Sequence, residues 1–415
     1  MPVADTQHPW RRATLAAFSI VTATVFLGWW ALEDTIWPPA MEDPVHGVTY
    51  VPYGENQDAV AFDGARAFDA RASAKVVLAR NAPRKEQIET DMRTLAAKVR
   101  YVRTYSACDG AEDVPRIANQ YGLRVVAGAR IYDHAMVPGL GTRAWLDFNE
   151  RQTGREIAGL IRIANDNPNV ERVLVGNERL LYGEISPRRL LDYIRQVKKN
   201  VKVPVSTAEP WHIWLEYPEL AREVDFIAVH ILPYWDASVG KNGPIAYLKT
   251  RIAELRAVFP NKTIVIAEFG WPSGGPNRVG WDAGGSALNI ASHSEQARIV
   301  REAVAWLREQ KIDHFIAEAF DQPWRSRDLE GTAGGYWGLW DADRQLKFAW
   351  TGPVTVFGTW WKLALGTVML TLPVFAIFMW VTDCRRFVDQ LVVGLVLALA
   401  VAGMIFTACV GPSWD

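Results

Sequence analysis

Three stretches of the chain are apolar from end to end. Residues 13–32, 363–381 and 391–410 carry no charged side chain. Each is about 20 residues long, enough for one α-helix to cross a hydrocarbon core of about 30 Å. Arg11 and Arg12 precede the first stretch, Glu33 and Asp34 follow it, and Arg385-Arg386 separate the other two. Basic flanks stay on the cytoplasmic side. Residues 1–12 and 382–390 are therefore expected in the cytoplasm, with 33–46 and 346–362 as linkers and 411–415 as a tail. Everything from Glu33 to about Trp361 is expected on the periplasmic or extracytoplasmic side of a cell (inner) membrane. A cleaved signal peptide is the alternative for the first stretch, but no small-x-small site follows it.

Between these stretches the pattern changes. Short β-rich runs at 47–51, 100–104, 124–128, 171–176, 203–206, 224–230, 262–268 and 313–320 alternate with helical segments. Ile157, Leu160, Ile161 and Ala164 have the i, i+3, i+4, i+7 spacing of an amphipathic helix, as do Val300, Ala303, Val304 and Leu307. Strands that are nearly continuous apolar runs, each followed by a helix, predict a covered parallel sheet. Eight such units over residues 47–345 predict an α/β fold, a (β/α)8 TIM barrel, with one N-terminal and two C-terminal transmembrane helices. A doubly wound sheet would need a Gly-rich first turn, and Tyr50-Val51-Pro52-Tyr53-Gly54 is not one. The stretch Gly54 to Arg84 is long for a barrel loop and reads as an elaboration of the first one.

Composition narrows the function. The 45 Lys+Arg against 46 Asp+Glu leave a net charge of -1, and no basic run is present, so no nucleic-acid partner is expected. Three cysteines, two of them (Cys384 and Cys409) in the C-terminal hairpin, leave Cys108 alone in the exported part and predict no disulfide there. Tryptophan is abundant, with 19 residues. Trp10, Trp29, Trp30, Trp37, Trp350, Trp360, Trp361, Trp380 and Trp414 lie in or near the apolar stretches, where interfacial anchors belong. The others fall between Trp145 and Trp340.

Catalytic groups of a barrel come from the carboxyl ends of its strands. Those ends read Tyr53, Tyr105, Glu178, Glu209, Tyr234, Glu268 and Asp321. Glu178 closes Val-Leu-Val-Gly-Asn-Glu after strand four, and Glu268 closes Ile-Val-Ile-Ala-Glu at strand seven. Two carboxylates across a mouth lined with aromatics suit glycoside chemistry, one donating a proton and the other attacking or activating water. Trp211, Tyr234, Trp235, Trp271, Trp324 and Trp337 follow the later strands, and their rings can stack on the C–H faces of sugars. Asn149-Glu150 shows that an Asn-Glu pair alone is a weak signal, because this one leads into a helix and is better read as a cap. The seven His residues show no ligand spacing and no G-x-S-x-G elbow occurs, so neither a metal, another cofactor nor a serine nucleophile is expected. His230 is read as a satisfied histidine of the barrel wall in preference to a substrate ligand. Glu209 and Glu318 are read equally as sugar contacts or as partners of Arg.

With these residues in place, the stretch from Gly47 to Asp341 resembles glycoside hydrolase family 17, the β-1,3-glucanase and β-glucan transglycosylase family. The resemblance rests on Val175-Gly176-Asn177-Glu178 and Glu268-Phe269-Gly270-Trp271-Pro272-Ser273. Arg103-Thr104-Tyr105, Pro233-Tyr234, Phe320-Asp321-Gln322-Pro323-Trp324 and Gly335-Tyr336-Trp337-Gly338-Leu339-Trp340 support it. It implies Glu178 as general acid/base and Glu268 as nucleophile of a retaining mechanism. It further implies Asn177 on the sugar 2-hydroxyl and Tyr234 positioning the nucleophile. Tyr53, Tyr105, Glu209, Trp211, Trp271, Asp321 and Trp324 complete the expected binding surface. Where plant members carry Asn, this chain has His230, and its Phe-Asp-Gln-Pro-Trp segment resembles a bacterial membrane-anchored branch. That resemblance implies β-glucan as substrate, transfer slightly favoured over hydrolysis, and a membrane β-glucan synthase as candidate partner. The competing expectation is a non-catalytic glucan-binding or assembly module of such a synthase complex.

Overall fold

A computed structural model describes residues 9–33, 35–41, 44–54, 83–132, 142–275, 291–327, 331–355, 359–382 and 386–409. Most of the expected first-loop elaboration, the tail 411–415, Cys384 and Arg385 lie outside them. The chain divides into two compact units, residues 1–37 with 353–415 and residues 38–352.

The larger unit is a closed barrel of eight parallel strands. They are β1 (Val45–Thr49), β2 (Val99–Arg103), β3 (Arg124–Ala129), β4 (Val170–Asn177), β5 (Val205–Pro210), β6 (Ile227–His230), β7 (Ile264–Phe269) and β8 (His314–Ile316). All eight expected strands are present, but the last is much shorter than 313–320. Beyond Ile316 the backbone bonds alternately, with Ala317 N–H donating to Phe269 O and Ala319 N–H to Thr49 O of the barrel, but Glu318 N–H to Trp337 O and Asp321 N–H to Trp340 O of the closing segment. β1 also starts at Val45, inside the stretch expected to be linker.

Side chains fill the barrel. Val126, Leu174, Ala208, Ala228, Val265, Ala267 and Phe315 form one buried cluster with Phe226, and Tyr101 packs against it. The helices outside follow from their sequences. Pro187–Lys198 starts at Ser186, whose side chain accepts from Arg189 N–H at 3.3 Å with Pro187 in the first turn. His293–Glu309 starts at Ser292, which accepts from Glu295 N–H, and buries Val300, Ala303, Val304 and Leu307 as the spacing predicts. Its Arg301 is 1% exposed and donates to the carbonyls of Pro38, Pro39, Ala349 and Gly352. One guanidinium thereby ties the two ends of the barrel unit together. Trp350 belongs to this unit too, not to a membrane interface. It is buried, packs edge-on to Trp340 and lies under Lys98.

The smaller unit holds helices Pro9–Leu32, Trp360–Thr382 and Phe387–Cys409, which span the apolar stretches 13–32, 363–381 and, as far as it is described, 391–410. Among the described residues, three helices are long and apolar enough to cross a membrane. They pack through Val21, Val25, Trp29, Ala364, Val368 and Ala398, and Trp29 Nε1 donates to Thr367 Oγ1 at 3.0 Å. Such an internal hydrogen bond removes a polar group from an apolar setting. Residues Thr35–Ile36 pair antiparallel with Val354–Thr355.

Candidate active site

The carboxyl ends of β2, β4, β6 and β7 converge on one polar cluster. β4 ends abruptly because Gly176 takes φ 85° and Glu178 φ 54°. Gly176 adopts this left-handed backbone freely and glutamate rarely does, so the surroundings must hold Glu178 there. They do so from three sides. Glu178 N–H donates to Ala208 O at 2.8 Å. Arg179 donates to the carbonyls of Asn177 and Ile131 and pairs with Glu184. Glu209, fully buried, accepts from Leu180 N–H at 3.0 Å.

Glu268 ends β7, and its register partner on β6 is His230. The ladder shifts register between Val229 and His230 and between Ile266 and Phe269. Such irregularities re-aim side chains at a barrel rim. Gly270 is required next, because a Cβ there would lie 2.2 Å from Ala317 O.

Glu268 Oε1 collects three contacts. Arg103 NH1 donates at 2.7 Å, Tyr105 OH donates at 2.7 Å, and His230 Nε2 lies at 3.4 Å. Burial opposes ionisation of Glu268, but His230, Arg103 and the Tyr105 hydroxyl outweigh it and hold the carboxyl below its ordinary range. Tyr105 is held neutral, since burial, and then the Glu268 charge, push its phenol well above the usual value. Among the described residues no hydrogen bond to Oε2 is seen, which leaves that oxygen for chemistry. Arg103 also donates to Asn177 Oδ1, which fixes the orientation of the Asn177 amide.

His230 departs from its expected role. Its ring is 1% exposed, with Nδ1 at 2.6 Å from Glu178 Oε1 and Nε2 facing Glu268. It stands between the two glutamates and is no mere wall residue. One donor atom from each of Glu178, His230 and Glu268 lies within 4.8 Å of the others. That spacing would admit a cation, but Arg103 already supplies positive charge against Glu268 and hydrogen bonds occupy the gap.

The arrangement has two carboxyl groups within reach of one bond, one ionised and fixed by cationic and phenolic donors. Residues 77–338 match the BtgE/BtgC glycoside hydrolase domain. The chain belongs to this family. The BtgE/BtgC-type chain is 26% identical over 276 residues to a glucan 1,3-beta-glucosidase of Arthroderma benhamiae, covering 63% of this chain and 82% of that protein. It is 27% identical to the glucan endo-1,3-beta-glucosidase btgC of Emericella nidulans, over 64% of this chain but only 42% of that protein's length. Its fold matches the glycoside hydrolase family 17 beta-1,3-glucanosyltransferase of Rhizomucor miehei with a TM-score of 0.55 at 22% identity, over 73% of this chain and 95% of that one. An endo-laminarinase from Formosa matches at 0.56 and 18%, over 72% and 84%. The expected resemblance to family 17, the TIM barrel and the glycoside hydrolase class are borne out.

The remaining expected residues of this BtgE/BtgC-type barrel divide by burial. Tyr53 is half-buried with its hydroxyl 3.4 Å from Asp109 O. Trp324 is half-buried. Trp211 donates to Tyr247 OH and has Arg251 4.1 Å over its ring, so one face is covered. Four others, Glu209, Trp271, Asp321 and Tyr234, are buried. Glu209 is a buried brace under Glu178, pushed up to about 7 by burial, with the Leu180 N–H opposing. Trp271 is 1% exposed and packs edge-on to Tyr234. Asp321 accepts from Lys347 Nζ and Gly338 N–H, anchoring the closing segment. Tyr234 is buried against Trp235 and Trp337, and the phenol 2.7 Å from Glu268 is Tyr105's. Glu318, also buried, accepts from Gln322.

Proposed function

We propose that this chain is a membrane-anchored, extracytoplasmic, retaining β-1,3-glucan-active enzyme that passes its glycosyl unit to a sugar in preference to water. The short reach between the Glu178 and Glu268 oxygens carries this reading, with donor atoms of both inside the 4.8 Å cluster. Retaining glycosidases keep their carboxyls about 5–5.5 Å apart, whereas inverting ones need about 6.5–9.5 Å to admit water. Glu268, held ionised, attacks the anomeric carbon through Oε2 and forms a glycosyl ester. Glu178 protonates the leaving oxygen and then takes a proton from the acceptor. Asn177, oriented by Arg103, is the group for the sugar 2-hydroxyl. Relatives named for glucan 1,3-beta-glucosidase activity support β-1,3-glucan as substrate.

Aromatic side chains in the loops after the strands support transfer. Tyr182 is 59% exposed on the turn after Glu178, and half-buried Trp235 stacks on Trp337 at 5.7 Å. The three apolar helices support anchoring, with a membrane β-glucan synthase as the partner such an anchor would serve.

Incubation of the full chain with β-1,3-gluco-oligosaccharides, followed by mass spectrometry, tests the reading. Products longer than the substrate are expected. Only shorter products would overturn the preference for transfer. No turnover by the unaltered protein would favour a non-catalytic binding module. Glu268→Gln should abolish turnover and retain oligosaccharide binding.

A further inference from the structure

His230 has a geometry that the two-glutamate mechanism does not use. Its ring is almost fully buried, with Nδ1 at hydrogen-bond distance, 2.6 Å, from Glu178 Oε1 and Nε2 at 3.4 Å from Glu268 Oε1, an ion-pair approach without a hydrogen bond. An ionised carboxylate only accepts hydrogen bonds, and a neutral imidazole has one donor nitrogen and one acceptor. In the Nδ1–H tautomer the Nε2 lone pair would point at the Glu268 carboxylate. A neutral Nε2–H ring would turn an N–H toward Glu268, but Nδ1 would then have to accept the Glu178 proton, taking it from the leaving group. With both nitrogens protonated, Glu178 Oε1 receives a donor, Glu268 faces a cation at ion-pair distance, and Glu178 Oε2 keeps its proton for the glycosidic oxygen.

We propose that His230 is a positioning residue that, as an imidazolium, serves as counter-ion to Glu268 in the free enzyme and to Glu178 in the glycosyl-enzyme. This deepens the retaining reading above and rests on it. In the first step Glu268 Oε2 bonds to the anomeric carbon as the glycosidic C–O bond breaks, and the Glu178 proton passes to the leaving oxygen. The anionic charge has then moved from Glu268, now an ester, to Glu178. His230 keeps both its protons and faces the anion at every stage. In the second step the acceptor O–H gives its proton to Glu178, its oxygen bonds to the anomeric carbon, and Glu268 leaves as a carboxylate. One fixed cation between two alternating anions spares the site any rearrangement as the charge moves.

The other ionisable groups around the ring act with or against this role. Glu209 at the end of β5 adds a third carboxyl that interacts with His230. Arg103 opposes the imidazolium, yet both attract the same Glu268 oxygen.

The test uses the full chain in detergent micelles, labelled with nitrogen-15 only at histidine. His230, assigned by its loss in His230→Asn, should show two protonated ring nitrogens at neutral pH. Should that variant fail to fold, His230→Gln or the shift produced by Glu268→Gln assigns it. A neutral ring overturns the proposal. Kinetics provide the second readout. On a β-1,3-gluco-oligosaccharide, whose leaving group needs a proton, kcat/KM of His230→Asn should fall about 100-fold, the low end of what general acid catalysis supplies. On 2,4-dinitrophenyl β-laminaribioside, which leaves without a proton, the first step should fall less than about 10-fold, since Arg103 and Tyr105 still hold Glu268. Equal losses on both substrates overturn the role through Glu178. If the unaltered enzyme yields no glucan products, the retaining reading fails and this inference with it. If it turns over with a neutral His230, only this inference fails.

Discussion

Arg103 gives the sharpest single test of how Glu268, the proposed nucleophile, is held. Its side chain is 1% exposed. It donates to Ala267 O at 2.9 Å and Glu268 Oε1 at 2.7 Å, reaches Asn177, and lies 4.6 Å over the Tyr105 ring. Arg103→Met keeps the length and removes the charge and all these donors. Breaking a buried ion pair from one side costs about 3–5 kcal/mol. Tyr105 and His230 still face Glu268, so the lower end, about 3 kcal/mol, is expected. For a domain this large that corresponds to a melting point lower by about 5–10 °C. The pH dependence has a defined sign. Glu268 is held below its ordinary range, so its ionisation stabilises the fold above about pH 4.3 and the gain is lost as pH falls through the folded value. Without Arg103 the carboxyl rises, and the acid limb of kcat/KM moves to higher pH. A charge-assisted hydrogen bond of about 1.5–3 kcal/mol lost from the transition state slows turnover roughly ten- to hundredfold. Arg103→Lys, which keeps the charge and loses the fork, should fall between. The assay is thermal unfolding of the full chain in detergent, with kcat/KM measured across pH. An Arg103→Met protein with an unchanged melting point and an unmoved acid limb would refute this account of Glu268.

Other substitutions probe the scaffold. Arg301→Met strands the carbonyls of Pro38, Pro39, Ala349 and Gly352 and should cost about 3–5 kcal/mol in denaturant unfolding; a loss under about 1 kcal/mol would show that the clamp is idle. Gly270→Ala forces a Cβ to 2.2 Å from the Ala317 carbonyl, so glucan turnover should be lost together with folding yield, and a soluble, fully active variant would contradict that packing. Glu209, pushed up to about 7, binds a proton in the folded state that the unfolded chain has released, so stability should fall as pH rises from about 4.3 through 7. Glu209→Gln should flatten that fall, worth about 4 kcal/mol by pH 8, and an unchanged slope in melts at several pH values would place the titration elsewhere.

Much of the architecture follows from local pattern. The apolar stretches, the eight β-rich runs and the helices between them are each consequences of residues close in sequence, because period and length are local properties. Glu178 and Glu268 were legible for the same reason, since each ends an apolar strand where an acid is costly without a use. Asn177 was legible only as part of its motif. Burial was harder to read: Trp271, Asp321 and Glu209 stand near the mouth in sequence, yet neighbouring loops cover them. Trp350 precedes an apolar helix but packs under Lys98.

Only tertiary structure decided what His230 and Arg103 do. His230 meets Glu178 because β6 lies between β5 and β7 and its register shifts just before that residue. Arg103 reaches Glu268 across the closed barrel from a strand 165 residues away. Which side chains share a barrel mouth depends on strand stagger and register, set by how all eight strands close together. The sequence by itself determined the strands, the helices and the two glutamates. The closed barrel alone decided that a histidine would stand between those glutamates and an arginine beneath one of them.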